Sequence, residues 1–246
     1  MAKRKHRSAR QKRPGVVAVL TGDVVGSSSL AQGEPHALRT ALAEAFRSVV
    51  GMSPNLMWGQ FDVHRGDSFQ GVLARPELAL RSAVLLRASM RSTREPGARR
   101  PAIDARIAVG IGPVDYLPPP SEGPSHGLGE AFIRSGTLLD HMESGEARLR
   151  FRTSWPDLDE QLNPACALLD ALISHWSGHQ SQVVHTMLCR FADDEKPLTQ
   201  QQAAKRLGIG QSTVSQQLQA VGFNAVREFL RAYEAAAARR LSGREA

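Results

Sequence analysis

The hydrophobic period of this chain changes once, near Leu162, and that change constrains the fold more than any other feature. Before it, short β-branched runs alternate with stretches of helical period; after it, every apolar stripe is helical. Val16–Leu20 reads as a buried strand ending at Thr21-Gly22-Asp23. Residues 35–50 carry Leu38, Leu42, Ala45, Phe46 and Val49 on one helix face. Residues 60–64 and 69–73 form a hairpin turned by Gly66-Asp67, and a second helix follows over 76–91. A strand over 103–111, a Pro/Gly/Ser loop over 118–129, a third helix over 130–142 and a last strand at 147–151 complete the alternation. The order β-α-β-β-α-β-α-β predicts an α/β unit, a mixed sheet with helices on one face. From Leu162 onward, with Leu168, Leu169, Leu172, Ile173 and Trp176 in helical register, the chain is expected to be all helix. Trp155-Pro156-Asp157 and Asn163-Pro164 punctuate the change as a linker.

Charge follows the same division. Residues 1–13 hold seven Lys or Arg and no acid, residues 14–195 carry a net −5, and residues 196–246 a net +5, within a total of +7. A mildly acidic body with basic ends suits a protein that meets a polyanion, because Lys and Arg at phosphates release condensed counterions. A membrane role is not expected. The longest aliphatic run is five residues, against roughly 20 for a spanning helix, and the basic arm has no Trp, Phe or Leu to insert. Ala2–Arg13 has neither the apolar region nor the cleavage site of a secretory signal, so a cytoplasmic location is expected, with Cys166 and Cys189 as free thiols.

The strongest local motif is TQQQAAKRLGIGQSTVSQQLQA, residues 199–220. Thr199 with Gln202 has the form of a capping box, so a helix starts there. Ala203 and Ala204 permit a close crossing, Leu207 and Ile209 are expected as core anchors, and Gly208 supplies the reversal. Val214 and Leu218, four apart, hold the next helix to the first. This is helix-turn-helix spacing. It resembles the phage Cro type and, with the preceding helix over 180–191, the sigma-factor region-four type. The resemblance implies that Gln211, Ser212, Ser215 and Gln216 face bases, while Lys205, Arg206 and Thr213 meet phosphates of double-stranded DNA. Use of the same motif for protein contacts alone is the other reading.

At the other end, Asp23 follows a strand and Asp67 sits at a hairpin tip. Two carboxylates brought close by such elements are most readily explained by a divalent cation between them, Mg²⁺ or Mn²⁺. Gly22, Gly26 and Gly66, with Ser27 and Ser28, would let the phosphates of a nucleotide approach backbone N–H groups. A helix cap at Asp23 and a plain turn at Asp67 is the alternative. His175 and His179 are four apart, but nothing nearby completes a metal set.

Asp23-Val24-Val25-Gly26-Ser27 and Gly66-Asp67 resemble the metal-binding context of class III nucleotidyl cyclases, which implies a ferredoxin-like or palm-like sheet and a nucleotide ligand. Where that family carries its transition-state Asn and Arg, this chain has Ile133 and Thr137, with Arg134 one position off; enzymatic making or breaking of a phosphodiester is the alternative function. Over residues 15–235 the chain also resembles the SatD family: the opening GDVVGSS, the central GDSFQG, Gly110-Ile111-Gly112, Trp176 with Gln180, and the terminal helix-turn-helix. The expected organisation is a basic tail at 1–14, a cyclase-like α/β domain at 15–155, a linker helix at 156–178 and a helix-turn-helix domain at 179–241. The expected function is a DNA-binding regulator with a metal-nucleotide sensory domain, acting as a homodimer because such motifs commonly read two half-sites.

Overall fold

The computed structural model describes residues 15–27, 35–64, 66–92, 103–142, 147–189 and 198–243. The basic tail, Ser28, and the end of the expected 180–191 helix lie outside them. Among the described residues the chain is α/β, with one five-stranded mixed sheet and eight α-helices. The sheet order is β2-β3-β1-β4-β5: β1 (Val16–Val24) at the centre, β2 (Asp62–His64) and β3 (Ser68–Leu73) as the hairpin on one side, β4 (Ala105–Pro113) and β5 (Leu149–Arg152) on the other. All pairings are antiparallel except β4 with β5. Val17 to Leu20 are fully buried at successive positions, the mark of a strand covered on both faces.

The two faces of β1 feed different apolar clusters. Ala18, Leu20 and Val24 join the larger one, with Phe69, Leu73, Ile107 and Val109. Val17 and Val19 join a smaller one, with Trp58, Val72, Leu117 and Ala131. Helices α1 (Pro35–Val50) and α2 (Ala79–Ser92) supply the large cluster; α3 (Glu130–Asp140) lies against β4 and β1 on the opposite side. The expectation of helices on one face is corrected accordingly. Its physical basis is Gly110: a Cβ there would stand 2.2 Å from the Ala131 carbonyl oxygen and 2.5 Å from the Ser135 nitrogen, so the α3 backbone rests directly on a glycine.

The Asn163-Pro164 pair, expected as linker punctuation, lies inside α4 (Pro156–His175). Pro156 occupies the helix start, where its missing N–H costs nothing. Asn163 occupies the free edge of β5, accepting from Phe151 N–H at 2.8 Å and donating to its carbonyl at 3.0 Å. Leu158, Leu162, Cys166, Leu169 and Ile173 enter the large cluster beside Leu149 and Phe151.

The same cluster continues through α5 (Gly178–Leu188), α6 (Gln200–Leu207), α7 (Gln211–Ala220) and α8 (Phe223–Leu241). Helix α5 runs along α2, and α8 returns to a 3-10 turn at Pro76–Leu78. There Tyr233 donates its hydroxyl to the Pro76 carbonyl at 2.8 Å, and Arg81 pairs with Glu234 at 2.6 Å. No described helix is long and apolar enough to cross a membrane, and both cysteines are free.

Candidate functional site

The two aspartates meet at one end of the sheet by backbone, as the sequence suggests. Asp23 stands opposite Ser68 on β3, and Val24 N–H donates to the Asp67 carbonyl at 3.2 Å. Their carboxylates, however, are engaged separately. Asp23 also stands opposite Arg106 on β4, and that guanidinium clasps both its oxygens, Nε to Oδ1 at 2.9 Å and Nη2 to Oδ2. These hydrogen bonds hold Arg106 above its ordinary pKa. The remaining Arg106 nitrogen donates to the Met142 carbonyl. Asp67 Oδ2 accepts from Ser27 Oγ at 2.6 Å.

As arranged, these donors do not fit Mg²⁺ or Mn²⁺: a fixed positive charge already satisfies Asp23, and a cation could bind there only by displacing it. The glycines divide similarly. Gly22 is buried between β3 and β4, where a Cβ would lie 2.5 Å from the Phe69 ring and 2.6 Å from the Arg106 carbonyl, so packing already requires a glycine there. Gly26 (φ 71°) and Gly66 (φ 85°) are exposed turn residues in the left-handed region. Beside Asp23 a polar chain crosses the α3 face: Gln70 Nε2 donates to Thr21 Oγ1 at 3.2 Å, and Thr21 to Ser135 Oγ at 2.9 Å.

The positions where a cyclase would stabilise its transition state do not supply that chemistry. Ile133 is exposed, and Arg134 is committed to Glu130, to the Ile111 carbonyl at 2.6 Å and to Ser154 Oγ at 2.6 Å. His175 ends α4 while His179 opens α5, and among the described residues no three His, Cys, Asp or Glu side chains gather as a metal set.

Both helices expected in the C-terminal motif are formed. The Thr199 side chain accepts from Gln202 N–H at 3.2 Å, and the Gln202 side chain accepts from Thr199 N–H at 2.8 Å, a complete capping box that starts α6. Gly208 ends it at φ 66°, in the left-handed region. Ala203, Ala204, Val214 and Leu218 are buried at the crossing of α6 and α7. Ile209, expected as a core anchor, is 39% exposed, because it lies in the turn beyond that crossing. Gln211, Ser212, Thr213, Ser215 and Gln216 are exposed, and within the described residues none has a side-chain hydrogen bond or ion pair. Lys205 and Arg206 are exposed in the last turn of α6, where they also complement the helix dipole.

Sequence reading missed Arg106 as the partner of Asp23, since 83 residues separate them and only the strand register joins them. No protein-family model matches the chain, and no curated protein matches it.

Proposed function

We propose that this protein is a double-stranded DNA-binding regulator, with α6 and α7 forming a helix-turn-helix and α7 reading the major groove. One observation carries the reading: α7 buries only Val214 and Leu218, and presents an outward face of Gln211, Ser212, Thr213, Ser215 and Gln216 with no side-chain partner among the described residues. A helix anchored by two apolar residues and otherwise bare and polar suits base edges, where Gln pairs bidentately with adenine. Lys205, Arg206 and the basic segment 1–13 supply the phosphate contacts. The resemblance to the SatD family and its terminal motif supports the same reading, with a homodimer presenting two such helices to two half-sites. The arrangement at Asp23 favours a structural pairing with Arg106 over the metal-nucleotide expectation.

The test is electrophoretic mobility shift with genomic fragments. Gln211→Ala and Gln216→Ala are expected to weaken specific binding by about 1–3 kcal/mol each with an unchanged melting temperature. Lys205→Ala is expected to weaken binding to all sequences alike and lower the salt slope by about one. Binding undiminished in both Gln variants would remove α7 as the reading helix.

A further inference from the structure

A cleft lies where the C-terminal helices meet the sheet body. A cavity of about 310 Å³ opens there, within the size range of small-molecule sites. Its floor is apolar and drawn from both sides: Met52 and Leu78 from the body, Met187 and Leu188 from the end of α5, Leu198 and Phe223 from the flanks of α6 and α8. Its rim is arginine. Arg75 is neutralised by Glu77 at 2.9 Å and Arg81 by Glu234 at 2.6 Å. Among the described residues Arg227 and Arg231, one turn apart on α8, have no carboxylate partner: Arg227 donates to the neutral Asn224 amide oxygen, at 3.1 Å, and Arg231 meets no acid.

Two guanidinium forks with no carboxylate partner among the described residues, beside an apolar floor, select a particular ligand chemistry. The forks suit a carboxylate or phosphate head, while the floor gives no benefit to an inorganic anion and favours a molecule with an apolar body. We infer that this cleft binds a small organic anion with an apolar body, and that the ligand biases DNA binding. The second clause rests on the helix-turn-helix reading. It follows from the walls: Met187, Leu198, Phe223 and Arg227 also line an adjoining hollow that reaches Ser215 and Gln219 of α7. A ligand that prefers one seating of these helices on the body shifts the population able to bind DNA.

The probe is 8-anilinonaphthalene-1-sulfonate, an anionic aromatic whose fluorescence reports binding to the folded, full-length chain. One site per chain is expected. Octanoate and octyl phosphate displace the probe, the stronger of the two identifying the preferred head group, while octanol and octylamine do not. The double variant Arg227→Gln/Arg231→Gln is expected to lower probe affinity at least tenfold with an unchanged melting temperature, and Met187→Trp, which fills the floor, to abolish binding. Several equivalent sites, displacement by octanol as readily as by octanoate, or indifference to the arginine variant would overturn the site.

DNA binding of the ligand-free protein is measured separately. Failure of every fragment to bind would remove the helix-turn-helix reading and leave the probe result standing. An arginine variant that loses DNA affinity but binds the probe normally would assign those side chains to DNA phosphates and overturn the cleft. Where both bindings occur, the displacing anion is expected to move the midpoint of the DNA titration several-fold; an unmoved midpoint would overturn the coupling.

Discussion

Asp104 has the most consequential side chain in the body. It is 2% exposed, and its carboxylate accepts from Arg87 at 2.8 and 2.9 Å, from Arg91 and Arg148 at 2.9 Å each, and from Ala105 N–H at 2.9 Å. Arg87, fully buried, also meets Asp170 at 2.6 Å as an ion pair rather than an aligned hydrogen bond. Burial alone would push the Asp104 carboxyl up, but Arg87, with Arg91, outweighs it and holds the group down at about 2 against an ordinary 3.8. A depressed folded pKa contributes stability above the unfolded value that is lost as pH falls through the folded one. The chain should therefore lose roughly 2 kcal/mol from this group between pH 4 and 2. Asp104→Asn should flatten that dependence in urea titrations and, by leaving Arg87 under-compensated in the interior, cost about 3–5 kcal/mol at neutral pH. None of this was legible from the residue alone: Asp104 sits in an alternating strand pattern that reads as a polar outward position. A glycine can hide its reason in the same way. Gly71 lies against the Phe61 ring, with a virtual Cβ 2.3 Å from its nearest atom, so the reason for that glycine lies elsewhere in the chain, whereas the nearest neighbour of Gly112 is the movable end of the Arg134 side chain.

Elements were legible wherever their signal is local. The bounds of α1, the hairpin with Gly66-Asp67 at its turn, and the Thr199–Gln202 box with Gly208 all follow from neighbours within four residues. What local pattern does not carry is the face on which an element packs. Helix α3 has an ordinary amphipathic stripe; Gly110, some 20 residues before it, gives its backbone room on the opposite face of the sheet from α1 and α2, where Ala131 packs with Val17, Val19 and Val72. Gly110→Ala drives a Cβ into the α3 backbone, which has no rotamer with which to yield, and is expected to cost about 1–3 kcal/mol, read as a lower denaturant midpoint at constant slope. At Gly208 no atom lies within 4 Å of a built Cβ, so only the positive φ resists substitution. Gly208→Ala should cost about 1–2 kcal/mol and Thr199→Ala about 1 kcal/mol, both by thermal melting.

At the scale of the molecule, the sequence reading ends the α/β domain at 155, whereas the buried apolar set runs from β1 to Ala237 of α8. That division rests on punctuation, and Pro156 and Pro164 do interrupt the apolar rhythm; but a proline in the first turn begins a helix as readily as it ends one. Leu158, Leu162, Leu169 and Ile173 of α4 are each at most 5% exposed. At about 1.5–3 kcal/mol per buried side chain, their contribution is comparable to the whole net stability of an ordinary domain. Residues 15–155 expressed alone would expose the surfaces these side chains cover, and the Pro76 carbonyl would keep its Ala79 N–H but lose the Tyr233 hydroxyl. That fragment is expected to keep far-UV circular dichroism while losing near-UV signal and binding hydrophobic dyes. The full chain is expected to unfold in one transition, with tryptophan fluorescence and far-UV dichroism coincident in urea. Tyr233→Phe should shift that whole transition by about 1 kcal/mol rather than release the C-terminal helices as a separate step. A fragment 15–155 that unfolded cooperatively, with a near-UV spectrum of its own, would show that the sheet body closes without α4 and α8, and that the junction cleft lies between independently stable halves.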